Sequence, residues 1–150
     1  MRILIDTNLL VRFSDPNDQQ HGIAVQALDR LAQQNHELQL IPQIIYEYWV
    51  VATRPVQNNG LGFSTPQANS FIEDMISLFP LLSDERLKFK AWMQLVLACD
   101  VQGKRAHDAR LVAAMQRHSI SHLLTFNGQD FARYTGISVL TPEQVVAPKK

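Results

Sequence analysis

Cysteine is almost missing from this chain: Cys99 is the single one among 150 residues. That excludes an intrachain disulfide and any thiolate metal cage. Cys99 lies in the apolar stretch LVLAC and is expected to be a small buried residue. Long apolar runs are missing too, with no segment near the roughly 20 residues that span a bilayer. The opening MRILIDTNLLVRF breaks its apolar run at Asp6 with no cleavage region behind it, so no signal peptide is expected and a cytoplasmic setting is. An excess of either charge is also lacking. Lys+Arg and Asp+Glu both count 14, a formal net charge of zero, which excludes coating nucleic acid by bulk electrostatics. A nucleic-acid enzyme stays open, because carboxylates and bound cations can offset local basic groups.

What is present is an ordinary globular composition, 46% hydrophobic and 19% charged, in a length that suits one domain. We expect that domain over residues 1–147, with 148–150 a frayed basic tail. There is no internal repeat and no low-complexity tract.

Strand-like and helix-like segments alternate. RILID (2–6) is short, apolar and β-branched, as a buried strand would be. HGIAVQALDRLAQQN (21–35) carries a helical stripe, ELQLIP (37–42) reads as a strand, and QIIYEYWVVATR (43–54) is helical again. NNGLGFSTP (58–66) is the clearest loop. Thr65 is expected to cap a helix that has Pro66 in its first turn and runs to Leu78. FPLLS (79–83) is a brief strand candidate, and Ser83 or Asp84 is the expected cap of a helix over ERLKFKAWMQLVLAC (85–99). HDARLVAAMQRH (107–118) is helical, and SHLLTF (121–126) and ISVL (137–140) are strands. Thr141 to Gln144 has capping-box spacing. This alternation predicts an α/β sandwich with a mainly parallel sheet.

In such sheets ligands bind outside the carboxyl ends of the strands, where the interruption at Asp6 falls. Asp6 can serve there as a helix cap or as a metal ligand, and a ligand needs other acids nearby. Glu47 sits in the apolar and aromatic stretch IIYEYWVV, where it faces solvent, pairs with Arg54 or binds a cation. Asp108 shares a stripe with Leu111, Val112 and Met115 in the first turn of its helix, a favourable place for an acid in any case. LLTFNGQDF ends a strand at Asn127, with Asp130 three residues on. Asp100 is a reserve candidate with a helix-end role. Carboxylates gathered at one sheet edge repel unless a cation intervenes, and oxygen ligands select Mg²⁺ or Mn²⁺. Such ions activate water against a phosphoryl group, so the chemistry expected is phosphodiester hydrolysis.

ILIDTNLLVRF, Glu47 within a helix, HDARLVAAM and LLTFNGQDF resemble the PIN domain in order, separation and wording, from Arg2 to about Val146. The small size is similar to the VapC-type toxins of toxin–antitoxin pairs. The resemblance implies a three-layer sandwich with a four- or five-stranded parallel sheet and a Mg²⁺- or Mn²⁺-dependent endoribonuclease. By position, Asp6, Glu47 and Asp108 match the acidic ligands. The fourth position, often Asp in the family, falls on Asn127, with Asp130 able to supply or share its role. An RNA substrate, a small antitoxin partner and a homodimer are also implied.

Lys104, Arg105 and His107 are candidates for an RNA phosphate, and Thr7, Asn8 and Thr125 for orienting ligands or water. Trp49, Trp92 and Phe89 read as core or interface, and His21, His36, His118 and His122 as surface or strand-end residues. Two other readings stay open. One is a phosphatase or phosphotransferase with Asp6 as nucleophile, although Asn8 stands where a further Asp is wanted. The other is a non-catalytic PIN-like module that binds RNA or protein.

Overall fold

The computed structural model describes residues 1–148, so the expected basic tail falls outside them apart from Pro148. Four strands, β1 (Arg2–Ile5), β2 (Glu37–Gln39), β3 (His122–Leu124) and β4 (Ser138–Leu140), form one sheet in the order β2-β1-β3-β4. All three pairings are parallel, with Leu4 opposite Gln39 on one side and Leu123 on the other. β1 is central, and Ile3, Leu4 and Ile5 are fully buried because helices cover both faces of the sheet. The helices are α1 (Thr7–Ser14), α2 (His21–Gln33), α3 (Pro42–Thr53), α4 (Thr65–Leu78), α5 (Lys88–Ala98), α6 (Arg105–Arg117) and α7 (Pro142–Val146). The expected α/β sandwich with a parallel sheet is what forms, four-stranded among the described residues.

Local chemistry decides where the elements start and stop. FPLLS forms no strand; Leu81 makes a single bridge to Leu40. Pro80 has no N–H to give a ladder, and the pairing is limited to Leu40 N–H on the Pro80 carbonyl (2.9 Å) and Leu82 N–H on the Leu40 carbonyl (2.8 Å). Neither Ser83 nor Asp84 caps α5, which begins three residues later than expected. Asp84 accepts from Lys88 Nζ (2.7 Å) and Glu85 Oε2 from Leu87 N–H (2.8 Å), and the cap position Leu87 has no side-chain bond. Ser64, not Thr65, caps α4, in a capping box with Gln67. The second capping box, Thr141 with Gln144, starts α7 as expected. Asp100 has φ 50 just past the end of α5, the left-handed conformation that ends helices.

Tyr48 is fully buried and stacks on Phe71 with ring centroids 5.0 Å apart. Trp92 packs against the core and donates to the Ala106 carbonyl (2.8 Å). Phe89 and Trp49, expected in a core or interface, lie at the surface of the chain, Phe89 at 70% exposure. Cys99 is only partly buried, because it is the C-cap of α5 and packs at the margin of the core. Among the described residues no helix is long and apolar enough to cross a membrane.

Candidate active site

The carboxyl edge of the sheet is built by two backbone continuations past the strands. Asp6 N–H reaches the Leu124 carbonyl (3.0 Å) beyond β1, and Thr125 N–H reaches the Leu140 carbonyl (3.0 Å) beyond β3. Asp6 and Thr125 therefore stand side by side, both buried. Asp6 is indeed the N-cap of α1 and accepts from Thr7 N–H at 2.7 Å through Oδ1. Its other oxygen, Oδ2, accepts from the Thr125 hydroxyl at 2.7 Å and more distantly from Asn8 Nδ2 at 3.4 Å. The Thr125 hydroxyl in turn accepts from Asn8 Nδ2 and from Asn127 N–H, each at 3.0 Å. Asn8 completes the ring by accepting from Phe126 N–H (3.1 Å). Cap and cavity wall are thus the same carboxylate.

Glu47 is on α3, half-buried, and does not pair with Arg54. Its Oε2 accepts from the Thr7 hydroxyl (2.7 Å) and its Oε1 from Gln43 Nε2 (2.9 Å). Gln43 is buried and also donates to the His107 carbonyl (3.0 Å), so one side chain ties α3 to the start of α6 beside Asp108. Asp130 lies in the 3-10 turn Gly128–Phe131, with the exposed Asn127 at its start. Arg105 spans Asp130 (2.7 Å) and Asp108 (3.4 Å). Asp6, Glu47, Asp108, Asn127 and Asp130 all line one cavity of about 440 Å³, together with Thr7, Asn8, Val11, Arg12, Val51, Arg54, Asn59 and Phe131. Lys104, Arg105 and His107 are exposed and outside that lining.

Burial pushes the Asp6 carboxyl up to about 6, with the charges of Glu47 and Asp108 adding to the rise. Hydrogen bonds from Thr125 and Thr7 oppose it. Asp108 is raised as well, chiefly by burial and less by the charges of Asp130 and Glu47, against the stabilising bond from Arg105. Charge is therefore held in this cavity at a cost that a cation would relieve.

The donor set fits a hard divalent ion: the ligand-type side chains in the lining are carboxylates and one amide, with neither cysteine nor histidine. The acids ring the cavity without closing on its centre, since no three His, Cys, Asp or Glu among the described residues are grouped to hold an ion. Mg²⁺ commonly keeps several waters, so an open ring suits it better than a closed cage.

Sequence reading missed Gln43, Arg12 and Asn59, and took Arg54 only as a partner for Glu47, not as part of the cavity wall. Gln43 alone had a signal, four residues before Glu47 on one helical face. His118 and His122 are also four apart, but α6 ends at Arg117 and β3 begins at His122, so the two share no helix face.

Comparison by sequence finds no matching family and no matching curated protein. Comparison of folds does find relatives. VapBC2 from Rickettsia felis, solved with a DNA fragment from its promoter, matches at TM-score 0.72 and 14% identity, over 94% of this chain and 98% of that one. A toxin–antitoxin complex from Klebsiella pneumoniae matches at 0.64 and 23%, over 93% and 97%. VapC20 from Mycobacterium tuberculosis, a toxin that cleaves the sarcin–ricin loop, matches at 0.62 and 19%, over 87% and 93%. At these identities the likeness is one of fold, and it extends over nearly the whole chain. The fold of this protein is that of the VapC toxins.

Proposed function

We propose that the protein is a Mg²⁺- or Mn²⁺-dependent endoribonuclease, the toxin of a toxin–antitoxin pair. A cytoplasmic setting, a small antitoxin that covers the site, and a homodimer belong to the same proposal. One observation carries it: acids from positions 6, 47, 108 and 130 line a single cavity at the carboxyl edge of a parallel sheet. A fold alone does not specify chemistry, but this fold in VapC20 belongs to an RNA-cleaving toxin.

In this reading Asp6, Glu47 and Asp108 hold the cation, and Asn127 or Asp130 completes the set. When bound, the ion lowers the pKa of water and stabilises the charge that builds on the phosphoryl oxygens. The chain's own groups do the positioning. Thr125 and Thr7 N–H fix the two oxygens of Asp6. The Thr7 hydroxyl and Gln43 fix those of Glu47. Rigid donors of this kind keep ligand geometry and tune affinity.

The test is cleavage of a mixed RNA pool in EDTA, Mg²⁺ and Mn²⁺, by wild type and Asp6→Asn side by side. We expect cutting that needs both the cation and Asp6. Well-folded wild type that binds RNA but never cuts it would point to the non-catalytic module. Unfolding of Asp6→Asn would leave Asp6 as a cap and nothing more.

A further inference from the structure

Two arginines in the cavity wall take no part in the chemistry above. Arg54 follows the last residue of α3 and is clamped by the loop after it. Leu61, Gly62 and Phe63 N–H donate to the carbonyls of Val51, Arg54 and Ala52, at 2.9, 2.9 and 2.8 Å. The fit is close enough that a Cβ at Gly60 would lie 1.9 Å from the Arg54 carbonyl oxygen. Arg54 Nη2 donates to the Asn59 carbonyl (3.0 Å), while its Nε is buried with no partner among the described residues. That nitrogen is closed off from the cavity, so what Arg54 can offer a ligand there is its charge and its terminal nitrogens.

Arg12, near the end of α1, is held through Nε alone, by Gln20 (2.9 Å) and Asp18 (3.5 Å). Its two terminal nitrogens have no acceptor among the described residues. Val11 and Val51 line the same cavity. Arg12 is six residues after Asp6 and Arg54 is seven after Glu47. At 1.5 Å per residue, Arg12 is about 9 Å and Arg54 about 10.5 Å along its helix from the acid that precedes it.

We propose that Arg12 and Arg54 form a phosphate subsite that holds the substrate strand beside the acids where it is cut. The subsite rests on the reading that RNA is the substrate. It gives the strand a direction along α1 and α3, and it works by holding the backbone, not by base readout. Four acids in the same cavity disfavour a free anion, so the phosphate meant is one of a strand.

The experiment is fluorescence anisotropy of a labelled 12-nucleotide single-stranded RNA, in EDTA so that nothing is cut, over a series of KCl concentrations. Wild type is compared with Arg12→Gln, Arg12→Gln/Arg54→Gln, and Lys90→Gln/Lys88→Gln as an equal charge change to the double arginine variant, on α5 away from the cavity. We expect the double arginine variant to lose about ten-fold or more in affinity and its log–log salt slope to fall by about 0.7 for each phosphate it no longer neutralises. Arg12→Gln, which gives up the bonds to Gln20 and Asp18 but leaves the loop after α3 in place, should give part of both effects, and Lys90→Gln/Lys88→Gln neither. A folded double arginine variant that binds with wild-type affinity and slope overturns the subsite, as does a wild type that binds no RNA. Displacement of the RNA by inorganic phosphate beyond what KCl of equal ionic strength achieves also overturns it, in favour of a free-phosphate site. Cation-dependent cleavage with no arginine dependence would sink the subsite alone. Arginine-dependent binding without cleavage would sink the nuclease reading alone.

Discussion

Asp6 shows how much one residue can be asked to do. It caps α1, closes a hydrogen-bonded ring with Thr125 and Asn8, and brings a carboxylate with a pKa of about 6 to the cavity. In the unfolded chain the same group titrates near 3.8. Between those values the folded state binds the extra proton, so this group's contribution to stability falls as pH rises through the window and is lowest above it. Two pH units at ~1.4 kcal/mol each put the difference near 3 kcal/mol. Urea unfolding without divalent ions should therefore show wild type losing up to that amount relative to Asp6→Asn between pH 4 and pH 7. Equal slopes for the two proteins would remove the strain from Asp6. Thr125→Val tests the other side of the bond. It deletes the donor to Asp6 and strands Asn127 N–H, which costs about 1–3 kcal/mol and moves the Asp6 inflection above 6; Thr125→Ser should restore both. At this scale the acids were legible, Asp6 and Glu47 because each interrupts an apolar pattern, Asp108 and Asp130 because they stand in a helix's first turn and just past a strand end. Arg12 and Arg54 were not: a surface arginine and a cavity arginine look alike until the backbone around them is known.

At the scale of elements, the loop after α3 matters more than its turn-rich wording suggested. NNGLGFSTP was readable as a loop, but not its return to the last carbonyls of α3, which depends on the turn at Asn59 with φ 62. Gly60 allows that return. Gly60→Ala must push the loop off Arg54, and we expect a loss of roughly 2 kcal/mol or more in stability, of the kind overpacking causes, together with weakened RNA binding. Ser64→Ala in the capping box that follows should cost only about 1 kcal/mol and leave RNA binding unchanged, which separates local destabilisation from displacement of Arg54. The elements that sequence misplaced have a common cause. FPLLS and the start of α5 hinge on single hydrogen-bonding groups: Pro80 lacks a donor, and Glu85 and Asp84 are taken up by Leu87 and Lys88. Hydrophobic period carries no record of such choices.

For the whole molecule, zero net charge sets how RNA is met. With no excess of basic charge long-range steering is weak, so cleavage should fall only gently with salt, with a slope near that of the phosphate subsite proposed here; a steep loss in cleavage rate would mean a larger basic footprint than the cavity wall provides. Light scattering of the purified protein should give the mass of two chains if the homodimer forms, and of one if it does not. The sheet order β2-β1-β3-β4 could not be read from the sequence, since periodicity gives strands but not neighbours. That order has a consequence in time. β1 is made first and pairs on one side with residues 122–124, and Asp6 meets Thr125 only there. The first strand must therefore wait, one side unpaired, until four-fifths of the chain exists. Such distant pairing is slow to form, and in the meantime the acids are scattered along an open chain. A chain cut short before residue 122 therefore lacks this pairing and leaves Asp6 without its bond from Thr125.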